Sequence, residues 1–194
     1  EGISVVVYFT LIYDNWAYAE HPSWRIVNEF GCNSREKSAV SMFNGNRYGT
    51  CCPNNLEYRD YVVKQLQEVS RKYQFEGFFL DMTFWQSVCY CDTCRERFRN
   101  EVGGELPLIT DWDDKTFLDF QQRRQSWLTE FAQMATAAIK TVNPDLTVEH
   151  QFAACTAGWK RGVTEGVVNA SDYAGGDFYG GLTQQSFICK LYRN

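Results

Sequence analysis

Glu76-Gly77-Phe78-Phe79-Leu80-Asp81 is the stretch on which the fold is read. The apolar run is too brief for a helix, carries two aromatics and closes on a carboxylate, so it reads as a short strand with Asp81 at its C-terminal end. Just upstream, Cys52-Pro53-Asn54-Asn55 opens a helix in which Tyr58, Tyr61, Val62, Leu66, Val69 and Tyr73 recur at helical spacing. Asn54 or Asn55 caps it. Further upstream, Ile3 to Thr10 (ISVVVYFT) is a nearly continuous β-branched and aromatic run, the pattern of a strand buried on both faces. The polar-aromatic stretch between, Leu11 to Thr50, lacks a strong period and predicts a long functional loop with short helical pieces.

Downstream, a short helix is expected near Asp92 to Val102, stopped by Gly103-Gly104. A long amphipathic helix follows from about Lys115 to Val142, its buried stripe formed by Phe117, Phe120, Trp127, Phe131, Met134 and Ala138. Strands are expected at Leu146 to Phe152 and at about Ser171 to Tyr179, then a final helix over Leu182 to Tyr192. Alternating strands and helices imply parallel βαβ units and an α/β fold. A (β/α)8 TIM barrel has eight strands and typically ~250 residues, so residues 1–194 are expected to form one barrel domain that is incomplete, the alternative being a smaller α/β sheet complete in itself.

The chain has 194 residues and a net charge of −5, with no basic stripe to neutralise phosphates, which argues against nucleic acid. It has no run of eighteen apolar residues, so no membrane-spanning helix is expected. Aromatics make up 16%, with six Trp and eleven Tyr. Most belong to a core, and the excess points towards carbohydrate, whose pyranose C–H faces stack on flat rings.

A carboxylate at the end of a parallel strand points into the mouth where barrel enzymes keep their sites. Asp81 is therefore the first catalytic candidate, although an Asp there also caps a following loop. Glycoside hydrolysis needs a second carboxyl; Glu149 and Asp177 lie near other strand ends, and Asp14 and Glu20 in the loop after the first strand. Alternation puts Glu149 and His150 on opposite faces, and His150 reads either as a ligand-binding residue or as a satisfied core histidine. Cys89, Cys91 and Cys94 form C-x-C-x2-C, three thiols in one tight turn. A tetrahedral zinc would take Cys52 or Cys51 as fourth ligand; free thiols, or a disulfide with one thiol over, are the plainer readings.

Cys52-Pro53-Asn54-Asn55-Leu56-Glu57-Tyr58-Arg59 resembles the CPNSPxYR segment of family 42 β-galactosidases, and Cys89 to Phe98 resembles their CxCxxCxxxF segment. That resemblance implies a zinc ion held in a barrel by Cys52, Cys89, Cys91 and Cys94. The family carries an Asn-Glu pair at the strand end where this chain reads Phe79-Leu80-Asp81-Met82. The GFFLD strand looks more like family 29 α-L-fucosidases, in which the aspartate is the nucleophile. Glu20-His21-Pro22-Ser23-Trp24, with the cysteine motif and Glu105-Leu106-Pro107, fits a hypothetical glycoside hydrolase group. The implied protein is a retaining glycosidase, fucosidase- or galactosidase-like, with Asp81 attacking and Glu149 or Asp177 protonating the leaving oxygen. Tyr8, Asp14, Trp16, His21, Trp85, His150 and Tyr179 are expected to bind the sugar. The metal is expected to be structural, with no cofactor in catalysis. A homo-oligomer is compatible with the sequence, and a periplasmic or extracellular location suits a glycan-degrading enzyme. The competing reading is a non-catalytic carbohydrate-binding barrel stabilised by zinc.

Overall fold

A computed structural model describes residues 2–36, 47–151, 158–177 and 179–193. Three parallel strands form one sheet in chain order: β1 (Val6–Thr10), β2 (Gly77–Asp81) and β3 (Thr147–His150). Tyr8 pairs with Phe79 and Thr10 with Asp81; Phe79 pairs with Glu149 and Leu80 with His150. Between β1 and β2 come α1 (Asn15–Glu20), a 3-10 turn at Pro22–Trp24 and α2 (Leu56–Lys72). Between β2 and β3 lie α3 (Asp92–Glu101) and α4 (Lys115–Val142). A one-turn α5 (Glu165–Val168) and α6 (Leu182–Arg193) follow. The result is an α/β unit with three parallel strands, the arrangement of an arc of a barrel.

Strand alternation sorts the core. Phe78, Leu80, Val148 and His150 point to the helices and are fully buried. Tyr8, Phe79, Asp81 and Glu149 share the opposite, inner face through their register. The helices interlock through Tyr58 of α2, stacked on Phe131 of α4 with centroids 6.1 Å apart. Asn55 caps α2 by accepting from the Tyr58 N–H at 2.9 Å. Gly77 lets β3 close in: a Cβ there would stand 2.1 Å from Thr147 Oγ1.

Two expectations need correction. The first strand is not buried on both faces, since Val6 and Tyr8 are exposed; among the described residues β1 is an edge strand, with a neighbour on one side. The strand expected at Ser171–Tyr179 is reduced, among its described residues, to a single parallel bridge, Gln151 to Gly175. Side chains replace its ladder: the Val148 N–H donates to Asp172 Oδ2 at 2.7 Å and the His150 N–H to Ser171 Oγ at 3.0 Å. The expected end of the third strand, Phe152, lies outside the described residues. Among the described residues no helix is long and apolar enough to cross a membrane.

Candidate active site and cysteine cluster

The chain turns sharply after β2. Met82 adopts a left-handed conformation, φ 63°, which costs a side-chain-bearing residue about 1–2 kcal/mol. The turn directs the Met82 N–H to Asp81 Oδ1 at 2.8 Å and towards Gln151 Oε1 at 3.3 Å. The Tyr8 hydroxyl donates to the other Asp81 oxygen, Oδ2. Asp81 is thus fixed through both oxygens while being almost wholly buried, at 8% exposure. Shielding of its hydroxyl and the Asp81 carboxylate push the Tyr8 phenol up to about 12.

Two more carboxyls belong to this side of the sheet. Glu149 lies beside Gly175, where a Cβ would stand 1.4 Å from its Oε1. Burial raises its proton affinity, and a hydrogen bond with Tyr173 partly offsets that. Asp177 lies two residues past the bridge at Gly175. Burial raises its proton affinity, a hydrogen bond with Gln151 lowers it, and the charge of Asp81 raises it further. A carboxyl whose ionisation is made costlier by a neighbouring carboxylate is the raw material of acid–base chemistry.

Beside β1 runs a cleft of ≈ 720 Å³ lined by Tyr8, Tyr13, Asp14, Trp16, Tyr48 and Tyr61, among others. It shares Tyr8 with the Asp81 mouth. Trp16 is half exposed and stacks on Tyr61, centroids 5.7 Å apart. Asp14 caps α1, accepting from the Ala17 N–H at 2.8 Å. His21 meets Trp16 edge-on, centroids 6.0 Å apart, and stacks 3.7 Å from Trp24. Tyr179 is exposed, two residues beyond Asp177.

Trp85 and His150 are not on this face. Trp85 is fully buried and donates its indole N–H to the Arg124 carbonyl at 2.9 Å. The His150 ring lies between Thr83 Oγ1 (3.0 Å from Nδ1) and Thr136 Oγ1 (2.9 Å from Nε2) on the helix side. Burial pushes it down to about 4, so it is a neutral core histidine. A neutral ring has one N–H and one acceptor nitrogen, so one of the two threonine hydroxyls must turn its proton to the ring.

Gln151, Met82 and Tyr173 were not anticipated. Gln151 shares the face of Glu149, two residues on, and that parity was the available signal. No sequence feature marks Met82 or Tyr173.

The Sγ atoms of Cys52, Cys89, Cys91 and Cys94 all lie within 4.8 Å of one another, and all four residues are buried. Tetrahedral zinc thiolates, with Zn–S ~2.3 Å, stand about 3.8 Å apart, so the cluster fits a metal. Cys52 is the fourth member. Its neighbour Cys51 instead pairs by backbone with Ile12 and Arg25. Cys91 is held well below the ordinary thiol range by hydrogen bonds from Cys52, Cys89 and Cys94, whereas burial pushes Cys52 and Cys94 up. Metal binding by such a cluster would draw off the thiol protons. Asn54 Nδ2 donates to Cys94 Sγ at 3.3 Å, and Arg97 holds the Asn54 oxygen at 2.9 Å, an outer support of the kind that orients metal ligands. The fully buried Arg124 adds positive charge that interacts with Cys94 and Cys89.

Residues 1–82 match the family model described as hypothetical glycosyl hydrolase 6. No curated protein matches the chain. Among solved structures, α-L-fucosidase isoenzyme 2 from Paenibacillus thiaminolyticus is similar at 24% identity and TM-score 0.64, over 89% of this chain and 23% of that one. A polyextremophilic β-galactosidase from the haloarchaeon Halorubrum lacusprofundi is similar at 16% identity and TM-score 0.68, over 90% and 30%. The PgaB (BpsB) glycoside hydrolase domain from Bordetella bronchiseptica gives 9% identity and TM-score 0.70, over 99% and 58%. The chain therefore spans less than a third of the fucosidase and of the β-galactosidase. The likeness to these solved structures is one of fold, the three parallel strands and their helices matching part of each.

Proposed function

We propose that the chain forms the catalytic part of a glycosidase that cleaves O-glycosidic bonds, fucosidase- or galactosidase-like, by a two-carboxylate retaining mechanism. The observation that carries this reading is Asp81: a buried carboxylate at a strand end, held on one oxygen by Tyr8 and on the other by Met82. Fixing both oxygens limits rotation, so the lone pairs left free keep one direction. That is what attack on an anomeric carbon requires. In the first step the Asp81 carboxylate forms a bond to C1 while a carboxylic acid gives its proton to the departing oxygen. In the second, water attacks C1, the same residue takes the water's proton, and Asp81 leaves as a carboxylate. The Tyr8 hydrogen bond stabilises that leaving carboxylate. Trp16, Tyr61 and Tyr8 offer flat faces for a sugar in the adjoining cleft, with Asp14 for its hydroxyls.

Cys52, Cys89, Cys91 and Cys94 would hold a structural zinc, which supplies a crosslink between the start of α2 and the loop after β2. Four thiolates leave no open coordination position, so the chemistry rests with the carboxylates.

The test is Asp81→Asn. Turnover of nitrophenyl α-L-fucoside or β-D-galactoside is expected to fall by about 10²–10⁴-fold or more, with an unchanged circular dichroism spectrum and melting temperature. Undiminished hydrolysis would remove Asp81 from the mechanism. Sugar binding without turnover in the unmutated protein would favour the carbohydrate-binding reading.

A further inference from the structure

We propose that Asp177, rather than Glu149, is the proton donor that works with Asp81, and that Gln151 is the positioning residue that holds it there. The inference rests on the glycosidase reading and deepens it.

Gln151 is only 1% exposed and is clamped to β2 at both ends of its backbone. Its N–H donates to the Leu80 carbonyl at 2.9 Å, and its carbonyl accepts from the Thr83 N–H at 2.9 Å. Its side-chain oxygen faces the Met82 N–H, the same donor that holds Asp81 Oδ1. A primary amide has one oxygen and one NH2 group. With the oxygen turned to Met82, the NH2 is presented to the Asp177 carboxyl with which Gln151 is hydrogen-bonded. One backbone N–H and one amide thus connect the two acids. The charge of Asp81 on β2 reaches Asp177, and the charge of Asp177 reaches the Tyr8 phenol on β1.

Glu149 is differently placed. Its carboxyl fills the space where a side chain at residue 175 would stand, and it pairs with Tyr173. Its Oε1 packs against the backbone of Gly175, whereas Asp177 follows that glycine by two residues and pairs with Gln151. The same geometry explains why residue 175 is glycine: any Cβ would displace Glu149.

In the reaction the Asp177 O–H bond breaks as the proton passes to the glycosidic oxygen and the C1–O bond opens. Gln151 NH2 then stabilises the carboxylate left on Asp177. When water attacks the glycosyl–Asp81 ester, that carboxylate takes the water's proton and the starting state returns. No other co-reactant is needed.

Two measurements on the full chain test this. The first follows the carboxyl carbons of 13C-labelled aspartate by NMR across pH, with Asp177→Asn identifying its signal. Asp177 is expected to titrate above the ordinary aspartate range. Its midpoint should fall in Asp81→Asn, which removes a neighbouring charge, and rise in Gln151→Leu, which removes the donor. A midpoint unmoved by both substitutions would overturn the inference, whatever the enzyme's substrate. The second compares leaving groups. Asp177→Asn should lose about 10²-fold or more on a methyl glycoside, and less than tenfold on the dinitrophenyl glycoside of the same sugar, whose leaving group needs no proton. Azide, which attacks the glycosyl–Asp81 ester without a base, should restore turnover of the dinitrophenyl glycoside in that variant. Equal losses on both glycosides, or this signature in Glu149→Gln instead, would assign the acid elsewhere. Failure of the glycosidase reading would look different: hydrolysis that survives Asp81→Asn.

Discussion

Both faces of the sheet hold buried polar groups, with opposite chemistry. On the helix side, Phe78, Leu80, Val148 and His150 are sealed, and both ring nitrogens of His150 meet hydroxyls. On the inner side, Asp81 and Glu149 are each only 8% exposed, yet each Asp81 oxygen has one directional partner and Glu149 pairs with Tyr173. Burial alone does not separate a structural polar group from a reactive one. What separates them is whether the partners exhaust the group's hydrogen-bonding capacity. His150 has no lone pair or proton to spare, whereas each oxygen of a carboxylate keeps a lone pair after accepting one hydrogen bond.

The contrast can be attacked from both sides. The largest effect is expected where the cysteine cluster ties the helix-side core together. Cys94→Ser should abolish zinc binding, measured by elemental analysis, and lower the unfolding free energy by more than about 4 kcal/mol. The exposed Cys189, changed to Ser, should alter neither. Next, Phe78→Ala should cost about 3–5 kcal/mol in urea unfolding, because it empties a sealed position.

His150 gives the helix side a pH signature. Its value near 4 when folded lies below the ordinary 6.5, so the unfolded chain binds the proton more readily. Its contribution to stability is therefore complete above pH 6.5 and is lost as the pH falls towards 4, by at most about 3 kcal/mol. Replacing it with Gln should flatten the urea midpoint over that window. The smallest effect belongs to the inner face: Tyr8→Phe should change stability by no more than about 1 kcal/mol, since the ring is exposed and loses only its hydroxyl. A loss as large as that of Phe78→Ala would erase the distinction between the faces.

Much of this was readable beforehand, and the reasons are local. α2 follows from apolar spacing and the cap at Asn55, and α4 from apolar spacing. The strand ending at Asp81 follows from a short apolar run. Cys52 and the C-x-C-x2-C turn come together as the motif implied. Alternation placed Glu149 and His150 on opposite faces, but period two does not say which face the helices cover. That is settled by Thr136 on α4, fourteen residues before His150. Trp85 was misplaced for a similar reason: proximity to Asp81 in sequence suggested a wall of the mouth, whereas the left-handed turn at Met82 is followed by burial of Trp85 beside Arg124. Gln151 carries no charge and no motif, so its significance arises only when Met82 and Asp177 converge on it.

The way β3 is finished bears on how the chain is made. During synthesis, the ladder from β2 to β3 can form once residue 150 has emerged. The far edge of β3 stays bare until Ser171 and Asp172 arrive to occupy the amides of His150 and Val148. For about twenty residues of translation, a nascent chain therefore presents an unpaired strand edge, the feature through which partly folded proteins aggregate. Two small polar side chains end that exposure sooner than a full fourth strand would.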